Sequence, residues 1–342
     1  MNSRIFLILI VILGSVMMFF SSPSAQSFPE KPISLIVPFP AGSAPDIFAR
    51  ALVEAVKNHL PKPVAVINRP GGAGTIGISE VIQSAPDGYK IGLGAVALFA
   101  VHPHITSLPY RTPNDYLAVM KLATLQVTFF ARGDAPWKDA KEVIEYARAN
   151  PGKLRVGVPG LGTILHLNYE HLKMLAKIDL ITVPFEGPHQ IPALLGGHVD
   201  LALAHPAPIL PHVNAGKIKV LGVFQANRNP LFPEDPTFRE LGYDITLGVY
   251  YLLVLPKGTP LNIMKIIHDA FKKALEDPSF VALMNKSSID IDYQGPEAIT
   301  KELWASYEHC GKLVEYLGLK RSEPSNFKLE QIEIISQKIF SS

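Results

Sequence analysis

Short apolar segments alternate along the chain with longer segments in which apolar residues recur every three or four positions. The short segments predict strands, and the helical spacing of the longer ones predicts helices packed on them. The first pair is ISLIVPF at residues 33–39 and the helix that follows it. Its inward face is predicted to contain Ile47, Ala51, Leu52, Ala55 and Val56. Nearly unbroken apolar strands are covered on both faces, so the pattern predicts an α/β fold with largely parallel sheets.

The predicted strands and helices form two groups joined by two crossings. A first crossing near residues 127–137 leads into a second α/β unit, and the strand DITLGVYYLLVLP at residues 244–256 returns to the first. Helices over residues 260–317 complete the first unit. We therefore predict domain 1 at residues 28–127 plus 247–320 and domain 2 at residues 128–246. Two domains joined in this way predict a small-molecule cleft between them.

The ends of the chain predict export and a terminal helix. Residues 5–20 carry no charge, follow Arg4 and precede the small residues SSPSAQS, which is typical of a signal peptide. The apolar segment is shorter than the roughly 20 residues that span a bilayer, so a retained membrane anchor is the less favoured alternative. We predict a signal peptide at residues 1–27 and a periplasmic mature protein. The tail at residues 321–342 has apolar residues at helical spacing.

Composition and charge exclude several classes of protein. Hydrophobic residues make up 48% of the chain and charged residues 18%, which is typical of a compact globular protein. Removing Arg4 with the signal leaves 31 basic and 30 acidic residues. That balance gives no basic face for nucleic acid. The single cysteine, Cys310, forms no internal disulfide and lies far from the predicted cleavage site, which argues against a lipoprotein.

Two loops share one form, in which an apolar strand is followed by a glycine-containing turn with a hydroxyl residue and then by a helix. The first is PAGS at residues 40–43, with Asp46 in the next turn, and the second is GLGT at residues 160–163, with His166. Backbone N–H groups at a helix N-terminus favour an anion. Loops of this kind on opposite domains can hold the carboxylate of one small molecule. The alternative is that Ser43 and Thr163 only cap their helices, and the spacing leaves both interpretations open.

Other motifs in the sequence do not indicate a nucleotide, metal or catalytic site. NRPGGAGTIG at residues 68–77 matches the dinucleotide fingerprint GxGxxG, but the strand after it lacks the acidic residue that holds the ribose. We interpret it as a structural turn whose Thr75 reaches the cleft. HLNYEH at residues 166–171 places two histidines five residues apart, so on a helix they diverge and predict no metal site. The nucleophile elbow GxSxG of serine hydrolases is absent from the sequence.

Several segments together resemble the Bug or TctC-like family, the periplasmic solute-binding proteins of tripartite tricarboxylate transporters. They are FPEKPISLIVPFPAGSAPDIFAR, VINRPGGAGTIG, SAPDGYKIGLG, GLGTILH, LLGGHVDLALA and AGKIKVLGV, spread over residues 28–320. The resemblance implies a two-domain Venus-flytrap fold, type II-like, that closes on a small carboxylate and delivers it to membrane subunits. It implies no catalytic residue, no cofactor and no metal, and we expect a monomer. A periplasmic partner of a signalling system, or a hydrolase using the same cleft, are the alternatives.

The resemblance also indicates ligand-binding positions. The predicted site residues are Pro40, Ala41, Gly42, Ser43, Asp46, Thr75, Gly162, Thr163, His166 and His205. Three departures from the family pattern bear on the ligand: Ser43 replaces a common glycine, Glu186 replaces a basic residue, and Pro188 and Pro192 stand where a regular helix would begin. The identity of the acid stays open, because backbone donors recognise a carboxylate and leave the rest to pocket shape.

Overall fold

The computed structural model describes residues 28–185, 187–245 and 247–319, and within them the strands form two sheets. The predicted signal peptide, the tail from residue 321 and Glu186 lie outside the described residues. The first sheet contains β1 (Ile33–Val37), β2 (Val64–Asn68), β3 (Lys90–Ala95), β4 (Tyr116–Leu125), β10 (Val249–Pro256) and β11 (Ile289–Gln294). The second contains β5 (Thr128–Arg132), β6 (Arg155–Val158), β7 (Ile181–Pro184), β8 (Leu201–Ala204) and β9 (Ile218–Val223).

Helices connect most of the strands. They are α1 (Ala44–Val56), α2 (Thr75–Ile82), α3 (Ala97–Ala100), α4 (His102–Ile105), α5 (Ala140–Ala149), α6 (Ile164–Ala176), α7 (Gln190–Leu195), α8 (Pro206–Asn214), α9 (Leu261–Ala274), α10 (Pro278–Lys286) and α11 (Pro296–Tyr316). Over the described ranges, no helix combines the length and hydropathy needed to cross a membrane.

Helix α5 shows how the sequence pattern produces these elements. Its N-cap is Asp139, whose carboxylate accepts the N–H of Glu142 at 3.0 Å, and a capping bond of this kind stabilises a helix start by about 1 kcal/mol. Its apolar residues recur every three or four positions, and four of them are buried: Ala140, Val143, Ile144 and Ala147. The spacing of the apolar residues therefore places them on the buried face of this helix.

Helix α1 differs from its prediction by a rotation of its buried face. Phe48, Ala49 and Leu52 are buried, whereas Ile47 is 50% exposed and Ala51 is half-buried. The prediction of an inward Ile47 is wrong. The cause is Asp46, whose buried carboxylate binds the loop before the helix and so fixes the rotation of the first turn.

Both sheets are mixed rather than largely parallel. In the first sheet β1 pairs in parallel with β2 and β3, whereas β10 is antiparallel to β3 and β4. In the second, β6 is parallel to β7 and β8, whereas β5 is antiparallel to β8 and β9. The strand orders are β2-β1-β3-β10-β4-β11 and β7-β6-β8-β5-β9. The fourth strand in each order, β10 or β5, is the first strand after a crossing. It runs antiparallel to both of its neighbours, which makes the sheet mixed.

The crossings are also placed differently from the prediction. The first is only residues 126–127, between β4 and β5, and the second is residues 224–248. The region predicted as a crossing therefore contains β5, and the region predicted as C-terminal helices contains β11. Both are strands because they pair with distant segments, β5 with β8 and β9 and β11 with β4. Local periodicity carries no signal of such partners.

The cores lie on both faces of the second sheet. Phe129 packs with Phe224 and Phe238 in the larger core, with ring centroids 6.3 and 5.9 Å away. Its neighbour Phe130 lies in a smaller core that includes Ile191. Successive residues of a strand point to opposite faces, so β5 is buried on both sides of the second sheet.

Candidate functional site

The two loops singled out in the sequence occupy equivalent positions in the two sheets. β1 and β6 are each the second strand of their sheet, between two parallel neighbours. Residues 38–43 follow β1 and residues 159–163 follow β6, and each loop leads directly into a helix, α1 or α6. In open α/β sheets ligands bind outside the carboxyl ends of the strands. The fold therefore puts both loops where a ligand is expected.

The first loop is closed by a bond between its glycine and the first turn of α1. The N–H of Gly42 donates to the Asp46 carboxylate at 2.8 Å. The Ser43 hydroxyl donates to the carbonyl of Pro40 at 2.6 Å, and it makes no side-chain capping bond to the helix. Gly42 has φ +79°, a conformation that favours glycine. Ser43 therefore shapes the turn, and the simple N-cap alternative does not describe its side chain.

Asp46 is occupied by contacts within the protein. Its carboxylate is 2% exposed and also accepts from Arg50 Nε at 3.0 Å and from Asn68 Nδ2 at 2.9 Å. The Arg50 hydrogen bond, with those from Gly42 and Asn68, lowers the pKa of Asp46 from 3.8 to about 2, against the opposing effect of burial. Asp46 thus orders the loop as a buried anion.

The second loop repeats this arrangement with different side chains. The N–H of Gly162 donates to His166 Nδ1 at 3.3 Å, and the Thr163 hydroxyl donates to the carbonyl of Gly160 at 3.0 Å. Thr163 also caps α6, because its oxygen accepts the N–H of His166 at 3.2 Å. Gly162 has φ +73°. We call the two glycine bonds, Gly42 to Asp46 and Gly162 to His166, the latches of the loops.

The His166 ring is buried and held from both sides. It is 4% exposed, and its Nε2 lies 3.7 Å from Glu170 Oε1. Burial lowers the pKa of His166, and the Glu170 charge partly opposes that effect. Because Nδ1 accepts the Gly162 amide, the hydrogen bonds assign the proton of the neutral ring to Nε2. Glu170 in turn accepts from Thr182 Oγ1 at 2.9 Å.

Each latched loop presents backbone donors at a helix start. The first N–H groups of a helix have no carbonyl partner within it. In α1 they are those of Ala44 and Asp46, since Pro45 has no N–H. In α6 they are those of Ile164 and Leu165, since Thr163 takes the N–H of His166. Each helix start also carries about half a positive charge, so both loops suit an anion.

The glycine motif at residues 68–77 is a structural turn. Gly71, Gly72 and Gly74 have positive φ. A Cβ on Gly77 would lie 2.7 Å from the carbonyl oxygen of Arg69, so the first turn of α2 packs against the backbone. Thr75 is 6% exposed, and its hydroxyl donates to Gly72 O at 2.7 Å. The structure thus gives Thr75 an internal partner, and a ligand contact there stays a prediction.

His205 links the end of β8 to the first crossing. It is the N-cap of α8 without a side-chain capping bond, and its Nδ1 donates to the carbonyl of Gln126 at 2.7 Å. Burial lowers the pKa of His205, against a smaller opposing effect of that hydrogen bond. The sequence pointed to His205 but not to Gln126. Its partner in the crossing is fixed only by the pairing of β5 with β8.

Sequence reasoning missed residues that contact the side chains of the two latches, Asp46 and His166. Asn68 ends β2 and contacts Asp46, and Glu170 faces His166. Arg50 and Glu170 stand four residues after Asp46 and His166, a spacing that makes neighbours on one helix face, so that signal was available. The contact of Asn68 had no local signal, because it depends on the packing of β1 beside β2.

Among the described residues, neither a metal-binding group nor the surface depression described below lies at the two loops. In the described segments, no group of three or more His, Cys, Asp or Glu side chains is arranged to hold a metal ion. His166 faces its own loop, whereas the ring of His171 lies 5.4 Å from that of His309. A surface depression of about 510 Å³ is lined by Arg132 and Lys217, at the edge of the second sheet opposite the loops.

Comparisons with known proteins identify the family of the chain. The family described as "Tripartite tricarboxylate transporter family receptor", TctC, matches residues 48–319, a range that contains the second loop and starts just after Asp46. A UPF0065 protein of Cupriavidus necator is 33% identical over 300 residues, which are 87% of this chain and 91% of that protein.

Solved structures show the same fold. A TctC solute-binding protein from Polaromonas has a TM-score of 0.75 and 29% identity, covering 85% of this chain and 100% of its own. MatC from Rhodopseudomonas palustris, solved with bound malate, has a TM-score of 0.72 and 26% identity, covering 84% and 100%. The predicted two-domain α/β fold and the predicted resemblance are confirmed. The chain belongs to the TctC family of tripartite tricarboxylate transporter receptors.

Proposed function

We propose that this chain is a periplasmic receptor that binds a small organic acid between two lobes and passes it to the membrane subunits of a tripartite transporter. We assign residues 28–127 plus 247–320 to lobe 1 and residues 128–246 to lobe 2, because the strands of the two sheets fall into these ranges. The two crossings then act as the hinge. We also propose that residues 1–27 direct export and that the mature protein is a monomer.

The observation that carries the proposal is the shared latch. It orients one helix start in each lobe, with unpaired N–H groups at Ala44 and Asp46 in one and at Ile164 and Leu165 in the other. A carboxylate has two oxygens that accept several hydrogen bonds, so one carboxylate can be shared by both loops when the lobes approach. Binding then favours the closed arrangement by the difference in its affinity for the two arrangements.

The chemistry of the loops favours binding over catalysis. The ionisable side chains of the two loops, Asp46 and His166, are buried and engaged in the latches. A general base needs a free position within reach of substrate. We therefore propose that the ligand leaves unmodified. Small carboxylates are the proposed ligand class, and the malate bound by the relative MatC supports it.

A thermal-shift screen tests the ligand class. The protein from residue 28 onward is heated with malate, adipate, citrate, aspartate and benzoate, and with glucose and putrescine as controls. A ligand at 100 times its Kd adds about 2.7 kcal/mol of stability, so at least one acid should raise the Tm by several degrees. Stabilisation by the sugar or the amine alone would refute the proposal. Recovery of a chemically altered acid would favour the hydrolase alternative.

Replacement of Ala44 by Pro tests the loop itself. Ala44 is the exposed first residue of α1, and Ser43 before it is extended, with φ −72° and ψ 161°. Proline is well tolerated at that position, so Ala44→Pro removes one N–H while leaving the helix intact. Hydrogen bonds to charged groups contribute about 1.5 kcal/mol or more, so affinity for the best acid should fall about tenfold or more.

A matched control is Leu261→Pro. Leu261 is the first residue of α9, is 73% exposed and follows an N-cap with ψ 138°. It comes after β10, which runs antiparallel to β3 and hence to β1, so it lies at the end of the first sheet opposite the loop at residues 38–43. Calorimetry should show unchanged affinity for this variant and an unchanged Tm for both. Unchanged affinity in Ala44→Pro would remove this N–H from the ligand site.

A further inference from the structure

The two latches differ in the chemistry of their acceptors. In lobe 1 the Gly42 amide is held by a carboxylate at 2.8 Å, and in lobe 2 the Gly162 amide is held by an imidazole nitrogen at 3.3 Å. The Asp46 carboxylate keeps its acceptor oxygens whenever it is ionised. An imidazole nitrogen accepts only when it carries no proton. The latch of lobe 2 is therefore the one that depends on a titration near neutral pH.

The surroundings of His166 fix which nitrogen faces the loop. Nε2 lies on the side of Glu170 at 3.7 Å, and Lys173 binds the other oxygen of Glu170 at 3.0 Å. Glu170 and Lys173 are the charged groups that act on the ring. From the neighbouring strand β7, Thr182 tethers Glu170. This arrangement holds the Nε2 proton toward Glu170 and leaves the Nδ1 lone pair for Gly162.

Gly162 also lies where the two lobes meet. A Cβ on Gly162 would lie 3.1 Å from the Ile105 side chain of α4, an element of lobe 1. Its φ of +73° allows glycine but disfavours other residues. A small displacement of this glycine therefore changes both the lobe contact and the direction of the N–H groups that follow it in α6.

We propose that His166 is a positioning residue of the ligand loop: its neutral ring holds the Gly162 amide and so orients the N–H groups of α6, and protonation of Nδ1 releases that amide. The inference rests on the proposed function. His166 acts through Gly162 and does for lobe 2 what Asp46 does for lobe 1.

The direction of the pH effect follows from the geometry. A proton on Nδ1 faces the N–H of Gly162, so two donors oppose each other and the latch opens. Protonation also adds a positive charge to the ring, but this charge forms an ion pair with Glu170. The loss of the latch is therefore the larger effect on ligand affinity. Burial lowers the pKa of His166 from 6.5, so the latch is intact at neutral pH and opens below pH 6.5. One hydrogen bond changes an equilibrium constant by about fivefold.

The first measurement observes the two latches directly, without ligand. Amide proton and nitrogen NMR signals of Gly42 and Gly162 are followed from pH 8 to pH 5 in the deuterated mature protein. The Gly162 signal should shift as its hydrogen bond is lost, while the Gly42 signal stays constant as an internal control. In His166→Asn, whose amide oxygen accepts at every pH, the Gly162 signal should stay constant too. If the Gly162 signal of the wild type does not change with pH, the inference is overturned.

The second measurement adds malate and uses calorimetry at pH 7.5 and 5.5. From pH 7.5 to pH 5.5 the affinity of the wild type should fall more than that of His166→Asn or of His166→Asp, which copies the latch of lobe 1, and the extra loss should be at most about fivefold. Ionisation of malate affects all variants equally. His171→Gln, on the same helix but outside the loop, should follow the wild type. Identical pH profiles in the wild type and both His166 variants would overturn the inference.

The receptor function and the positioning role of His166 would be refuted by different results. If malate binds at neither pH while the Gly162 signal still titrates with His166, malate is refuted as the ligand and the positioning role stands. If malate binds but the Gly162 signal is constant, the receptor function stands and the positioning role fails.

Discussion

Replacement of Asp46 by Asn is expected to weaken the latch of lobe 1 and to lower the free energy of unfolding. The carboxylate accepts from Gly42, Asn68 and Arg50 at 2.8, 2.9 and 3.0 Å. An asparagine offers one acceptor oxygen, and its NH₂ group meets a donor on the other side. At least one of the three donors therefore loses its partner, and the ion pair with Arg50 is lost.

The magnitude follows from the pKa of Asp46 and from the exposure of its partner. Lowering that pKa from 3.8 to about 2 corresponds to about 2.4 kcal/mol, at about 1.36 kcal/mol per pH unit. The Arg50 side chain is 55% exposed, and solvent screens an exposed partner. We therefore expect a loss of about 1 to 2 kcal/mol at pH 7.

The pH dependence gives the sharper test. The unfolded carboxyl titrates near 3.8 and the folded one near 2, so the contribution is fully present above pH 5 and is lost as the pH falls through 2. The difference between wild type and Asp46→Asn should shrink at pH 2.5 to about a third of its value at pH 7. Urea unfolding followed by tryptophan fluorescence at both pH values measures it.

Glu54→Gln is the matched control on the same helix. The Glu54 side chain is 70% exposed and pairs with Lys57, and exposed pairs of this kind contribute little. Its free energy of unfolding should match that of the wild type at both pH values. A loss in Asp46→Asn that is equal at pH 7 and pH 2.5 would show that packing, and not the charge, stabilises the loop.

Three further substitutions test other parts of the fold. Gly77→Ala places a Cβ 2.7 Å from a backbone carbonyl and should cost about 1 to 3 kcal/mol in urea unfolding; an unchanged midpoint would contradict the close packing of α2. Lys121→Met leaves the carboxylates of Asp292 in β11 and Glu302 in α11 without the ammonium group that lies 2.7 and 3.1 Å from them. It should cost about 1 to 3 kcal/mol in urea unfolding at pH 7, and an unchanged midpoint would contradict a stabilising role of these ion pairs. Thr163→Ala removes a capping bond and should cost about 1 kcal/mol, whereas Ser43→Ala, which removes no cap, should cost less; the reverse order in Tm would refute the assignment of the caps.

Sequence periodicity was sufficient for helices whose burial is decided locally. The inward residues of α5 follow from their spacing, and its start follows from Asp139 three residues before Glu142. The same local rules located both loops, because a strand, a glycine turn and a helix start are each visible within about ten residues. The same loops lie in two of the six segments that carry the family resemblance.

Local rules failed where a residue's partner is distant in the chain. β11 contains the alternating segment IDIDYQ and became a strand only because β4 lies beside it. Ile47 was predicted to face inward from its spacing, but the buried Asp46 fixed the rotation of α1 and left Ile47 exposed.

The sequence by itself determined that each loop has a glycine, a hydroxyl residue and a polar residue four positions after the glycine. Only the tertiary structure decided what those groups do. It turned the Ser43 and Thr163 hydroxyls toward carbonyls of their own loops and used the Gly42 and Gly162 amides for the latches. A hydrogen bond depends on distances near 3 Å, and which donor and acceptor come that close is set by packing between segments that the sequence places far apart.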